Sequence, residues 1–378
     1  MLDLQKAFDT VDHEILLYKL KAIGMDHKCI KWMSSYLTNR KQLVDVDGTL
    51  SSSCKITCGV PQGSILGPLL FLIYVNDMKA AANCKLWLYA DDSTLLVSGP
   101  NVNTIEATLS MELKSISNWL VDNKLSLHLG KTESILFGNA HQINKCSQLD
   151  IVCNNTIIKP TSSVKYLGIV LDQKLSGEHM ANNVIKKVST RIKFLCRKSN
   201  YLDVQSAKLL ALALVQCQLD YGCCAWYTGL TKKTKGKLQI CQNKLIRSVL
   251  KLTSRSRITY DHFKFLNWLP VEKRIIHLKL CQLNKIVLGQ APSYMSEGIL
   301  HTSNSHTHGT RSSHSGIVLP RSRTMMGKNS FLFTSIKEWN NLPLHVQSVN
   351  SVNVFKKDSK IFLFNELQLN YSNDFVQF

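Results

Sequence analysis

The stretch KLWLYADDSTLLVSG, Lys85 to Gly99, sets two adjacent acids between two apolar runs. Leu86, Trp87, Leu88, Tyr89 and Ala90 precede the pair, and Thr94, Leu95, Leu96 and Val97 follow it. Two such runs around a tight polar centre predict a β-hairpin with both strands largely buried. Asp91 and Asp92 then stand side by side at its tip. Adjacent carboxylates repel. Their place is explained either by ordinary turn chemistry, which Asp suits, or by a divalent cation that the acids share.

Upstream of the hairpin, the turn Pro61-Gln62-Gly63-Ser64 leads into an apolar run, and Ser64 can cap a helix over residues 65–74. KQLVDVDGTLSSSCKITCGV, residues 41–60, reads as a hairpin turning at Asp47-Gly48. Asp12 and Asp26 are helix N-caps, the first for a face of Ile15, Leu16 and Leu20 that ends at Gly24, the second for a helix reaching about Leu37. Downstream, Ile105, Leu109, Leu113, Ile116 and Leu120 form a helical stripe over residues 104–122. LSLHLGKTESILF reads as a strand pair around Gly130, and VKYLGIVLD as one strand. Beyond about residue 178 long helical patterns take over, at about 180–197, 203–219, 236–251 and 271–288, with a last helix at 351–366. Residues 302–316 are polar and without periodicity, a loop. His301, His306, His308 and His314 cluster there and read as a solvated segment rather than a metal site. The fold class is α+β, with a mixed first half and a helical second half.

The chain has 378 residues, enough for two or three domains, and 44% of them are hydrophobic, enough for a real core. No N-terminal basic region precedes an apolar core, and the longest apolar stretch noted, around Ile65 to Val75, is too short to span a membrane. Twelve cysteines without paired Cys-x-x-Cys spacing read as reduced structural thiols rather than zinc ligands. An intracellular setting without a membrane partner is expected. The net charge of +20 is unevenly placed. Residues 1–180 hold 17 Lys+Arg and 17 Asp+Glu, so residues 181–378, with 29 basic and 9 acidic residues, carry all of it. A field of this kind favours a polyanion, and nucleic acid is the commonest.

A neutral half bearing clustered acids beside a basic half suits phosphoryl transfer on a polyanion. Two divalent ions can clamp the attacking and leaving oxygens, but they need a further carboxylate from another strand. Asp3, in a short apolar run before a helix, supplies one. Asp9 and Asp12 compete for that role, and Asp12 is better explained as a cap.

These stretches together resemble the reverse-transcriptase domain of LINE-type (non-LTR) retrotransposons of the jockey-like kind. LDLQKAFDTVDH looks like the first motif of that family, GVPQGSILGPLLFLIYVND the second, YADD the third, KLSLHLGKTESILF the fourth and KYLGI the fifth. Order and spacing agree over about residues 1–175. The phrases LNWLPVEKRI and WNNLP resemble the family's trailing region. The resemblance implies a polymerase palm, an antiparallel sheet with packed helices, over residues 1–177. A basic, helical, thumb-like region over 178–300 and a linker with a helical C-terminal region over 301–378 follow. It implies an RNA-directed DNA polymerase that joins dNTPs to a DNA primer 3′-OH on an RNA template. Asp3, Asp91 and Asp92 would be catalytic and would hold two Mg²⁺, or Mn²⁺ in their place. Phe8 would exclude a ribose 2′-OH, Gln62 and Gly63 would touch template and incoming nucleotide, and Lys131 would lie near the triphosphate. Tyr166, Leu167 and Gly168 would support the primer end.

The chain starts two residues before Asp3, without the family's fingers or endonuclease. It is expected to be an N-terminally truncated piece in which Asp3 sits on a poorly held strand, so that polymerisation is weak or absent. A non-catalytic nucleic-acid-binding remnant is therefore the alternative. A small-molecule phosphotransferase, a third reading, is disfavoured by the basic helical half.

Overall fold

The structure is a computed structural model that describes residues 1–138, 143, 149–154, 156–158, 160–299 and 316–373. His301, His306, His308 and His314 lie outside the described residues. Helices dominate, at 55% of the chain, and the strands form small antiparallel sheets, compatible with an α+β fold. The chain divides into two units, residues 1–164 and 165–378.

The first unit is built on a three-stranded antiparallel sheet. Lys85–Tyr89 pairs with Asp92–Leu96, which pairs on its other edge with Leu2–Asp3. The register sets Leu2 opposite Ser93, which faces Leu88, so these three share one sheet face with Leu86 and Leu95. That face meets the core, where Leu2, Leu86 and Ser93 are buried. Asp3, Asp92, Tyr89, Trp87 and Thr94 occupy the other face. Trp87 is 42% exposed and Tyr89 63%, so the expectation of two largely buried strands is corrected. An antiparallel sheet can leave one face to water, and a continuous apolar run does not reveal which arrangement holds.

The helices His13–Ala22, His27–Leu37, Leu66–Val75 and Val102–Asp122 supply the rest of this core through Leu16, Leu20, Leu37, Leu70, Phe71, Tyr74, Leu113, Ile116 and Leu120. Three of their starts are fixed by capping residues read from sequence, and the fourth, Val102–Asp122, by Asn101, whose side chain accepts from the Thr104 amide. Asp12 accepts from the Glu14 and Ile15 amides, Asp26 from the Lys28 amide, and Ser64 Oγ from the Gly67 amide at 2.9 Å. The Asp47-Gly48 turn closes a ribbon of two short strand pairs, Asp45–Val46 with Thr49–Leu50 and Lys41–Gln42 with Cys54–Lys55. The strand pair expected around Gly130 does not form. The segment makes a 3₁₀ turn at Leu129–Lys131 and isolated bridges, Leu4 with Leu127 and Ser134 with Pro160. Its backbone groups find partners far away in sequence instead of within the segment.

VKYLGIVLD forms two strands rather than one, Ser163–Tyr166 and Ile169–Asp172, paired across a Leu167-Gly168 turn. The division between the units falls within the first of them. In the second unit, Glu178–Lys198 packs against Lys232–Val249 through Val184, Val188, Ile192 and Leu195 on one side and Leu238, Leu245, Ile246 and Val249 on the other. A further cluster joins Val271–Val287, Phe331–Asn340 and Val352–Asn373, where Trp339 stacks on Phe355 at 5.3 Å.

The helix expected at 203–219 is interrupted. It runs Val204–Ala211, widens to a π turn at Leu212–Gln216, resumes over Cys217–Asp220, then breaks at Tyr221-Gly222 before Cys223–Trp226. By length and composition Val204–Trp226 could cross a membrane, with mean hydropathy 1.3. Its Ala207, Ala211, Val215, Leu219, Cys223 and Trp226 are buried in the second unit's core, while Leu209 and Tyr221 are exposed.

Candidate active site

The strand–turn–strand of the first unit brings the three acids to one edge. Tyr89 pairs with Asp92, leaving Ala90 and Asp91 as the two turn residues, and Ala90 takes φ 52°. Asp92 then stands directly opposite Asp3 on the adjacent strand. Like charges directly opposite each other on a sheet repel. The Asp92 carboxyl is accordingly raised above its ordinary value, by burial first and then by Asp91 and Asp3.

Asp3 is held from both sides, which corrects the expectation of a poorly held strand. One edge pairs with Asp92 and Ser93. On the other edge, the Gln5 amide donates to Ser126 O at 2.9 Å, the His128 amide to Asp3 O at 2.8 Å, and the Glu133 amide to Met1 O at 3.1 Å. The terminal amine of Met1 returns a bond to Glu133 O at 2.8 Å. This arrangement also carries Lys131 to the acids. Its Nζ lies 3.8 Å from Asp3 Oδ2. Both groups are solvent-accessible, so the pair adds little stability.

The competing acids have other work. Asp12 caps its helix and pairs with Lys124 Nζ at 2.6 Å. Burial pushes its carboxyl up, but the bonds from Lys124, Ile15 and Glu14 outweigh this and hold it below its usual value. Asp9 accepts Gln62 Nε2 at 2.8 Å, a contact that the sequence did not signal. It fastens the Gln62 side chain to the loop that follows Asp3. Two backbone bonds lace the same loops together, Val60 N to Phe8 O at 2.9 Å and Gly59 N to Val11 O at 2.7 Å. Gly59 has φ +89°, and a Cβ there would sit 2.8 Å from Asp9 O. The half-buried Phe8 ring packs against Phe71 at 4.5 Å between centroids. Asp3, Asp91, Asp92 and Lys131 thus gather around one sheet edge, while Phe8, Gln62 and Gly63 sit on two loops tied to each other. Tyr166, Leu167 and Gly168 form the hairpin turn of VKYLGIVLD. There Tyr221 Oη donates to Leu167 O at 2.6 Å, a clamp that no local pattern announces.

The acids offer oxygen donors alone, the set that suits a hard divalent cation. Among the described residues no group of three or more His, Cys, Asp or Glu side chains is placed to hold a metal ion by itself. Mg²⁺ is usually bound by one or two carboxylates with substrate phosphates completing its shell, so an open carboxylate edge fits this ion better than a closed cage would. A cation would offset what raises the Asp92 carboxyl, burial first and then the charges of Asp91 and Asp3.

Comparison with known proteins matches residues 1–171 to the family model "Reverse transcriptase (RNA-dependent DNA polymerase)". The RNA-directed DNA polymerase from the mobile element jockey of Drosophila funebris is 30% identical over 262 residues, covering 66% of this chain and 28% of that protein. The jockey polymerase of Drosophila melanogaster is 28% identical over 260 residues, again 66% of this chain and 28% of the relative. The probable RNA-directed DNA polymerase from transposon BS of the same fly is 28% identical over 300 residues, 72% of this chain and 31% of the relative. The aligned stretch thus spans less than a third of the length of these relatives. The order of motifs, the placement of the three acids and these matches agree, and residues 1–171 belong to the reverse-transcriptase family, as a domain of the LINE-type, jockey-like kind.

Proposed function

We propose that the chain is an RNA-directed DNA polymerase domain that adds deoxynucleotides to a DNA primer on an RNA template inside the cell. The observation that carries this reading is the cross-strand Asp3–Asp92 pair with Asp91 in the adjoining turn. Residues 1–177 serve as the palm and the basic helical residues 178–300 as the thumb. Asp3, Asp91 and Asp92, with substrate phosphates completing the shell, would hold two Mg²⁺. When bound, such ions activate the primer hydroxyl and offset the charge of departing pyrophosphate.

The remaining roles belong to the chain's own side chains. Lys131, beside Asp3, protonates the leaving pyrophosphate. Phe8, its ring fixed against Phe71, presents the surface that rejects a ribose 2′-OH. Gln62, oriented by Asp9, contacts template and incoming nucleotide together with Gly63. Tyr166, Leu167 and Gly168, on a turn tied down by Tyr221, support the primer end.

Primer extension tests the reading. The chain, given a primed RNA template, dNTPs and Mg²⁺, is expected to extend the primer. Asp91→Asn is expected to abolish extension while leaving template binding intact. Extension that survives Asp91→Asn would remove the metal assignment. Tight binding without any extension by the native chain would favour the non-catalytic nucleic-acid-binding reading, which is supported by the lack, among the described residues, of three acidic, His or Cys side chains placed to hold a metal ion.

A further inference from the structure

A second concentration of charge lies wholly within residues 165–378. A cavity of about 250 Å³ opens there between four segments. Lys208 enters it from Val204–Ala211, Asn267 and Trp268 from the turn after Tyr260–Leu266, Arg274 from Val271–Val287 and Lys360 from Val352–Asn373. Three cations from three helices therefore line one small space.

Their charge is only partly balanced. Asp220 accepts Arg274 Nη2 at 2.8 Å and Nε at 3.3 Å, and takes Gln216 Nε2 at 2.8 Å as well. Lys208 and Lys360 make no ion pair among the described residues. Lys360 Nζ donates to Asn267 O at 2.8 Å. Set against one carboxylate, three cations leave two positive charges in the wall. The neighbourhood registers this field. The Lys360 ammonium is held below its ordinary value by burial and by Arg274 and Lys208. Buried His277 is pushed down to about 4, by burial first and then by Arg274, Lys360 and Lys356. Trp268, only 7% exposed, forms part of the wall. Two unbalanced cations facing one small space call for an anion.

We propose that this cavity binds a phosphate monoester dianion through Lys208, Arg274 and Lys360. A dianion matches the two unbalanced charges, whereas a carboxylate or a phosphodiester would leave one. Arg274 spends Nε and Nη2 on Asp220, so its Nη1 hydrogens remain for a phosphate oxygen. The volume lies below the roughly 300–1,000 Å³ of pockets for drug-sized ligands, which suits one compact group. The group has two sources, a small phosphate compound or the 5′-phosphate end of a nucleic-acid strand. The inference goes beyond polymerisation, and its test reads binding alone.

The full chain is titrated calorimetrically with inorganic phosphate in chloride buffer at neutral pH. One-to-one binding is expected, weakened roughly tenfold by Lys208→Gln, the effect of losing one charge-assisted hydrogen bond. Lys208 has no ion pair to lose, so the melting temperature of this variant should match that of the native chain. Lys244→Gln, on an exposed face of Lys232–Val249 outside the cavity, should bind phosphate as the native chain does. No binding, or equal loss in both variants, would overturn the proposal. Two oligonucleotides of one sequence, with a 5′-phosphate or a 5′-hydroxyl, are then used as competitors. Competition by the 5′-phosphate strand alone supports the site and identifies a strand end as the source. Competition by neither, with phosphate still bound, supports the site and identifies a small phosphate compound. Equal competition by both would mean backbone recognition and would overturn the monoester assignment.

Discussion

Asp3 and Asp92 face each other on an open sheet surface because Leu2 and Ser93, one residue along each strand, face the core. Strand alternation thus turns an apolar anchor into a placed acid. The loops beside them depend on a closer fit. Gly59 combines φ +89° with an approach so tight that a Cβ would lie 2.8 Å from Asp9 O and 2.9 Å from Asp9 Cα. Those are backbone atoms, which cannot swing aside. Gly63 has a similar φ of +78° but open space around it. Gly59→Ala is therefore expected to destabilise the first unit by about 1–3 kcal/mol, the cost of holding a strained backbone. Gly63→Ala, which meets the φ penalty without a clash, should cost less, about 1 kcal/mol. Denaturant unfolding of the two variants measures the difference. Equal losses would show that the contact with Asp9 carries no weight.

The hairpin Ser163–Tyr166 with Ile169–Asp172 ends on a buried acid that organises the way into the next helix. Asp172 accepts from the amides of Lys174, Ser176 and Gly177 and from Ser176 Oγ, at 3.0–3.1 Å. Burial pushes its carboxyl up, but these bonds outweigh burial and hold it below its ordinary value of 3.8. A depressed carboxylate stabilises the fold fully above its ordinary value and loses that contribution as pH falls through the lower folded value. Asp172→Asn, which brings an N–H₂ against backbone donors, is expected to cost about 1–3 kcal/mol at neutral pH. Melting temperatures followed downward in pH should show the gap to the native chain narrowing below 3.8. A gap that stays constant with pH would mean that the charge is not what matters.

The other elements show what sequence can carry. The Asp12, Asp26 and Ser64 caps, the Asp47-Gly48 turn and the stripe of Val102–Asp122 were legible because each depends on residues a few positions apart. The Asp3–Asp92 register, the Asp9–Gln62 bond and the Tyr221–Leu167 clamp were not, because each joins segments far apart in sequence. The resemblance to a family could suggest which acids meet, but local pattern could not. The firm seating of Asp3 was missed for the same reason, since its second edge comes from residues 126–133.

At the scale of the whole molecule, charge divides as the fold does. The first unit, residues 1–164, carries 15 basic and 15 acidic residues, so the entire +20 belongs to residues 165–378. Part of it forms an ordered face on Glu178–Lys198. Lys186, Lys193 and Arg197 recur at steps of seven and four, so they share one side of that helix. All three are exposed, while Val184, Val188, Ile192 and Leu195 bury the opposite side. Exposed cations spaced along a helix suit a run of phosphates rather than one compact anion. Each phosphate neutralised on a duplex releases counterions and adds about −0.9 to the slope of log K against log salt. The triple variant Lys186→Gln, Lys193→Gln, Arg197→Gln is therefore expected to flatten the slope for primer–template binding by about 2–3 units. Its melting temperature should be unchanged, because exposed substitutions away from packed contacts rarely shift stability by more than about 0.5 kcal/mol. Binding titrations across a salt series measure the slope. An unchanged slope with unchanged affinity would move the nucleic-acid surface off this helix. A weaker affinity at unchanged slope would mean that the three side chains act by shape or contact rather than by charge.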